Sequence, residues 1–215
     1  MPKMAGSPQF AVAQMNDKLI RAALLRHLES TDPTAVIYHE LPLSRGEGRA
    51  DCAAVNGSLT GFEIKSEKDS LSRLEKQIQD YEKVFDFCNI VVATKHLRRA
   101  RALIPNAWGI IVAEQNTEQV HLSVRRKARR NSGTSIQALI RLMWKTEALA
   151  ALRKNGKSAN ANIPVRAMWF ALEDLGKAKV ATEVRIALKQ RAGFPVPQLQ
   201  CGDSPHTEPT AAALQ

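Results

Sequence analysis

A chain of 215 residues, 44% of them apolar, is long enough for one ordinary domain with a modest extension and can bury a real core. No run of eighteen apolar residues occurs, the first fifteen residues lack the apolar stretch of a secretion signal, and the three cysteines (52, 88 and 201) form no CxxC pair, which argues against a membrane span, a leader or a disulfide framework and for a cytoplasmic protein with reduced, buried Cys52 and Cys88. The net charge of +10 is lopsided, with 15 basic against 15 acidic residues in 1–124 but 16 against 6 in 125–215, so a polyanionic partner held largely by the C-terminal part is expected, a solvated basic surface being the plain alternative.

In chain order, a helix is predicted from about residue 10 or 15 to 28, where Leu19, Ile20, Ala23, Leu24 and Leu28 recur at helical spacing. Asp17 suits its N-terminus, where the dipole favours a negative charge. Residues 35–39 read as a short strand and 41–48 as a loop rich in Pro, Gly and Arg. Strands at 49–55 and 59–65 flank the turn signal Asn56-Gly57. Asp69 or Ser72 should cap the next helix, with Ser72 and Glu75 as a capping box and Leu71, Leu74, Ile78, Tyr81 and Phe85 as its apolar stripe, ending near residue 87. Residues 89–94 form a continuous apolar strand of the kind covered on both faces. A basic helix over 96–103, a strand over 108–113 and an edge strand over 120–124 follow. The order α-β-β-β-α-β-α-β argues for an α/β fold whose mixed sheet carries helices on both sides.

Composition then shifts. Arg125, Arg126, Lys127, Arg129 and Arg130 make a basic linker. Thr134 to Gln137 read as a capping box opening a helix that runs to residue 152. Pro164 suits the first turn of the next helix, lined by Val165, Met168, Trp169 and Leu172, and a third spans about 177–191. Residues 195–215 hold four prolines and few large apolar groups and read as disordered. The expected division is a core over 10–124, a basic linker and small all-helical module over 125–192, and a tail over 193–215.

Chemistry concentrates at Asp51, Glu63 and Lys65. Glu63 and Lys65 lie two apart on one predicted strand and so share a face. Converging carboxylates repel, and burial sharpens the repulsion, unless a cation joins them. Mg²⁺ takes oxygen ligands of this kind together with phosphate oxygens, and a neighbouring lysine can hold a phosphate or a water. The hairpin offers a test. A two-residue Asn56-Gly57 loop would put Asp51 opposite Phe62 and on the wrong face, so the metal reading requires a three-residue loop, Asn56-Gly57-Ser58, or a bulge near Gly61. A surface charge pair on an edge strand is the plain alternative.

Asp51 followed by Glu63-Ile64-Lys65 resembles the D…(D/E)xK signature of the PD-(D/E)xK nuclease superfamily. Gln77 and Tyr81 are similar to the QxxxY pattern of its exonuclease branch, and the run from Glu40 to Glu114 resembles a small bacterial and phage family within it, through Arg49-Ala50-Asp51, Gly61-Phe62-Glu63-Ile64-Lys65-Ser66 and Trp108-Gly109-Ile110-Ile111. Ala50 stands where the superfamily's name has proline. The resemblance implies a restriction-endonuclease-like α-β-β-β-α-β core and Mg²⁺-dependent hydrolysis of DNA, with Mn²⁺ able to substitute. It implies that Asp51, Glu63 and the Ile64 carbonyl hold the metal, that Lys65 handles the water, and that Gln77 orients Lys65, water or phosphate. Glu40 is a further metal ligand or its supporter, or else a loop carboxylate. Arg45 and Arg49 would clamp phosphates or neutralise Glu47; Ser66 would position Lys65 or touch DNA; Tyr81 would contact DNA or pack in the core; the basic run at 125–130 would grip the backbone. A catalytically silent DNA- or partner-binding protein on the same scaffold is the alternative, and a homo-oligomer is open. No P-loop, GxGxxG or GxSxG occurs, so a nucleotide cofactor and acyl transfer have no support.

Overall fold

The computed structural model describes residues 15–43, 48–116 and 119–191. The expected disordered tail and Cys201 lie outside them. The elements run α1 (Asp17–Thr31), β1 (Val36–Leu43), β2 (Gly48–Val55), β3 (Leu59–Lys65), α2 (Leu74–Glu82), β4 (Phe87–Ala93), α3 (Leu97–Leu103), β5 (Gly109–Asn116), β6 (Gln119–Arg126), α4 (Ile136–Ile140), α5 (Lys145–Lys154), α6 (Val165–Glu173) and α7 (Lys177–Arg191). The six strands form one sheet in sequence order. β1–β2, β2–β3 and β5–β6 pair antiparallel, whereas β3–β4 and β4–β5 pair parallel across helical crossovers. This is the mixed α/β sheet with flanking helices that the pattern of elements implied.

Helix α1 begins where Asn16 caps it, its side chain accepting the Leu19 amide at 3.0 Å. Ile20, Ala23 and Leu24 on its buried stripe meet Cys52, Phe62, Ile64, Val91, Ile111 and Val120 on one sheet face. The opposite face buries Val55, Leu59, Ile90 and Ile110 against α2, α3 and the C-terminal helices. The expected boundary at residue 124 falls inside β6, and α4 to α7 share that apolar cluster with the sheet. Tyr38 on β1 donates to the Leu188 carbonyl of α7 at 2.6 Å.

β1 outruns its expected end: Leu41, Pro42 and Leu43 pair with Ala50, Arg49 and Gly48. Pro42 is tolerated because β1 is an edge strand, where a missing N–H costs no ladder bond. The Ser72–Glu75 capping box does not form. Ser72 meets Ser70, Asp69 turns back to Ser66, and α2 starts after Arg73 without a side-chain cap. The helix expected through residue 152 breaks between α4 and α5 at Arg141–Trp144, where the Glu147 carboxylate caps the second piece by accepting the Trp144 amide at 2.7 Å. Cys52 and Cys88 are free and buried, and burial pushes both thiols up to about 12. Among the described residues no helix is long and apolar enough to cross a membrane.

Candidate active site

The β2–β3 connection is a three-residue loop. Val55 pairs with Leu59, and the Asn56 amide donates to Ser58 O at 3.0 Å. Continued past Cys52↔Phe62, this register brings Asp51 level with Glu63. It is the hairpin that the metal reading required.

A second irregularity sharpens the site. Glu40 has φ 53°, a backbone region few non-glycine residues adopt. Its neighbours His39 and Leu41 pair with Cys52 and Ala50, while Glu40 and Asp51 drop out of the ladder. Tyr38 and Leu41, like Ala50 and Ala53, are three apart yet share one apolar cluster, which a two-residue alternation forbids. Both strands therefore turn over at this step. The groups of Asp51 are satisfied by side chains and by β3 instead. Its N–H donates to the Tyr81 hydroxyl at 3.2 Å, its carbonyl accepts from Arg21 Nη1, and its Oδ2 accepts the Ile64 amide at 2.7 Å. Within a strand a residue's N–H and C=O point the same way, so the Ile64 carbonyl also faces Asp51.

Glu63, Lys65 and Gln77 form a closed triangle. Lys65 Nζ donates to Glu63 Oε1 at 2.6 Å and to Gln77 Oε1 at 2.9 Å, and Gln77 Nε2 donates to Glu63 Oε1. Glu63 is fully buried and Lys65 is 5% exposed. The other carboxylate oxygen, Glu63 Oε2, is buried and makes no hydrogen bond of good geometry, although the Tyr81 hydroxyl lies near enough to favour the carboxylate. Burial pushes the Glu63 carboxyl up and Lys65 opposes it. Burial, reinforced by the Glu63 charge, pushes Asp51 up to about 7, against the pull of the Ile64 amide, Arg21 and Lys65. Two desolvated carboxylates that disfavour each other's ionisation, one with an unmet oxygen, beside an inward carbonyl make a donor set suited to a hard divalent cation.

Arg21 was not singled out by its sequence context. From α1 it binds Asp17 at 3.1 Å and Glu40 at 2.9 Å, and its Nη2 lies 3.7 Å from Asp51 Oδ1. Its only sequence signal was the i, i+4 spacing to Asp17. Glu40 also meets Arg49 at 2.5 Å, so both its oxygens are committed to guanidiniums. Among the described residues no three of His, Cys, Asp and Glu converge as a ligand cluster. Arg73 and Lys76, also unforeseen, join Arg49, Asp51, Gln77 and Asp80 around a cavity of about 230 Å³. Arg73, four residues before Gln77, and Lys76, four before Asp80, carry the i, i+4 spacing that could have found them.

The remaining expected residues divide. Arg45 lies outside the described residues. Ser66 is buried and donates to Asp69 Oδ2 at 2.6 Å, which fixes the turn after Lys65 and takes its hydroxyl away from any ligand. Tyr81 is 1% exposed, and its hydroxyl donates to Phe62 O at 3.1 Å; its ring packs on Phe85 and Trp108, so it takes the core-packing role and ties α2 to the strands. Arg126 donates to the carbonyls of Trp108 and Pro105, Arg129 to that of Asn106, and Arg130 pairs with Asp86 at 3.3 Å. Arg125 pairs with Glu114 at 3.2 Å, and Lys127 is exposed.

The family model described as "Bacteriophage P4 protein cII" matches residues 11–193. The chain belongs to this family. Protein cII of Enterobacteria phage P4 is 27% identical to it over 157 residues, 73% of this chain and 60% of that protein, so the chain spans about three-fifths of that relative's length. Among solved structures, the SPO1766 protein of unknown function from Silicibacter pomeroyi is 18% identical with a TM-score of 0.41, covering 67% of this chain and 96% of that one. Pyrococcus furiosus SfsA in complex with Ca²⁺ is 15% identical with a TM-score of 0.29, covering 53% and 61%. Structural likenesses with TM-scores this low bear on neither fold nor function.

Proposed function

We propose that this protein is a Mg²⁺-dependent nuclease of the PD-(D/E)xK type, acting on DNA phosphodiesters from a restriction-endonuclease-like sheet. The observation that carries the reading is Glu63 Oε2, a buried carboxylate oxygen without a hydrogen bond of good geometry, beside Asp51 and the inward Ile64 carbonyl. An oxygen so placed costs stability unless something binds it. Asp51, Glu63 and the Ile64 carbonyl are the residues that would hold the ion. A bound Mg²⁺ supplies phosphate polarisation and a water acidic enough to attack near neutral pH.

The chain's own groups do the rest. Lys65 uses two of its three N–H bonds on Glu63 and Gln77, leaving one to orient the attacking water or meet the charge developing on phosphate. Gln77 fixes that ammonium by accepting from it while donating to Glu63. Arg49, Arg73 and Lys76 line the adjacent cavity and suit the flanking phosphates.

The test is cleavage of single-stranded, duplex, flap and junction DNA, with RNA in parallel, in Mg²⁺ and in EDTA. Metal-dependent cleavage is expected, falling by about 10²–10⁴-fold in Glu63→Gln and in Lys65→Met. Wild-type rates in either variant would remove the assignment. Binding without cleavage by any substrate would leave a silent scaffold.

A further inference from the structure

A second basic cluster lies apart from the carboxylates. Beside α3, β5 and β6 a depression of about 490 Å³ is lined by Leu97, Arg101, Ile110, Arg125 and Arg126, none of which lines the cavity next to Asp51. Arg126 is fixed there, its Nε donating to Trp108 O at 2.7 Å and its Nη2 to Pro105 O at 3.0 Å. Those carbonyls orient the guanidinium but carry no net charge to cancel it. Besides its own burial, the charges of Arg101 and Arg129 depress the Arg126 pKa, so the three cations lie close together. Arg129 is itself tied to Asn106 O at 3.2 Å. Among the described residues the one ion pair here joins half-exposed Arg125 to Glu114 at 3.2 Å.

Cations on free side chains would swing apart into water. Here two of them are anchored to main chain, so the repulsion is built in and an anion would relieve it. Half-buried Leu97, over the buried Ile110, gives the depression an apolar wall, for which an inorganic anion has no use but a sugar or base does. The sheet register adds position. Glu63 pairs with Ile90, and Ile90 with Ile110, so Ile110 lies two strand spacings from the carboxylate, roughly 10 Å.

We propose that the depression among Arg101, Arg125 and Arg126 is a second nucleic-acid subsite, taking a nucleotide of a strand with its phosphate on the guanidiniums and its sugar or base on Leu97. The inference rests on the nucleic-acid substrate read above and extends it to an anchoring point a few nucleotides from the scissile bond. It is tested without hydrolysis, so the two stand or fall separately.

The full chain is titrated, in EDTA, against end-labelled 20-nucleotide single-stranded DNA and the same sequence in RNA, reading fluorescence anisotropy at several salt concentrations. Arg101→Ala/Arg125→Ala should weaken binding about tenfold and lower the slope of log Kd against log salt by about one to two. Arg166→Ala/Lys179→Ala removes the same charge from exposed positions on α6 and α7 and should shift Kd less than about threefold. Circular dichroism confirms that both doubles fold. Equal shifts in the two doubles, no shift in either, or no binding by the wild type would overturn the proposal. So would a polyglutamate peptide that competes as well as unlabelled oligonucleotide, because it would make the site one for acidic protein.

Discussion

The carboxylate of Asp51 accepts the amide hydrogen of Ile64 at 2.7 Å, holding in the β2–β3 ladder the place a main-chain carbonyl would fill. One oxygen thus joins two strands while the other is left near Arg21 and available to a ligand. The two duties separate by substitution. Asp51→Asn keeps an acceptor for the Ile64 amide and should fold like the wild type while losing metal-dependent cleavage. Asp51→Ala strands a buried N–H, costing about 1–3 kcal/mol. In a chain of this length that lowers Tm by roughly 2–4 °C per kcal/mol, read by thermal melts of the three proteins.

The same residue sets a pH dependence. An ordinary aspartate titrates near 3.8, and burial together with Glu63 pushes Asp51 up to about 7. The folded state therefore holds the proton more tightly than the unfolded chain. The stability this lends is complete below 3.8 and is lost as pH rises through about 7, beyond which the curve is flat. Metal-free protein should lose on the order of 4 kcal/mol across that window, at about 1.4 kcal/mol for each unit by which the Asp51 pKa rises. Mg²⁺, which favours the carboxylate, should shrink the loss, and Asp51→Asn should abolish it. Melts in EDTA and in Mg²⁺ at several pH values read all three; a flat wild-type profile without metal would contradict the environment described for Asp51.

The hairpin was legible because its charges are spaced for one register. Asp51, Glu63 and Lys65 share a site only if the loop holds three residues, and it does. The alternation of apolar residues similarly carried the element order. The Glu40–Asp51 turnover left no comparable mark. A positive φ at a glutamate has no composition signature, and the signal that both strands invert is a three-residue spacing (Tyr38 to Leu41, Ala50 to Ala53) that looks like noise until the partner strand is known. Arg21 was hidden for a related reason: it reaches the main-chain carbonyl of Asp51, a residue outside the β1–β2 ladder, from α1 on the opposite sheet face. The Ser72–Glu75 capping box failed because Ser72 and Asp69 found nearer partners in their own turn, whereas within 134–137 the Ser135 hydroxyl caps α4 by accepting the Ala138 amide. Of the alternatives open for Tyr81 and Ser66, the structure takes core packing for the first and the turn after Lys65 for the second, because sequence spacing does not fix a side chain's depth.

Glu63 and Lys65 should show opposing stability and activity when changed singly and together. Each is buried, and each is the other's counter-charge at 2.6 Å. Lys65→Met leaves an uncompensated carboxylate, at a cost of about 3–5 kcal/mol if Glu63 stays ionised and less if it takes up a proton. Glu63→Gln leaves the ammonium with Gln77 alone. The double variant Glu63→Gln/Lys65→Met removes both charges and should recover most of the stability lost by Lys65→Met, yet remain inactive. Denaturant unfolding of the four proteins gives the coupling energy directly. A double variant no more stable than Lys65→Met would mean that the pair is not coupled as the geometry requires.

Tyr81→Phe isolates what holds the site in place. The ring, 5.0 Å from Phe85 and 5.5 Å from Trp108, keeps its packing in phenylalanine. The hydroxyl alone is lost, and with it the bond to Phe62 O at 3.1 Å and the acceptor for the Asp51 amide at 3.2 Å. Phe62 keeps its place in the β2–β3 and β3–β4 ladders, but the Asp51 amide, outside the β1–β2 ladder, is left without its acceptor, so a loss of about 1–3 kcal/mol is expected. The larger effect should be on chemistry. Asp51 stands outside the β1–β2 ladder, and Tyr81 is its tether on the α2 side as Arg21 is on the α1 side. With one tether cut, the carboxylate loses its fixed position relative to Glu63, so Mn²⁺ affinity should drop by about 10–100-fold even where the protein remains fully folded. Titration of Mn²⁺ followed by electron paramagnetic resonance measures this without any turnover, and unchanged affinity in Tyr81→Phe would show that Asp51 needs no such support.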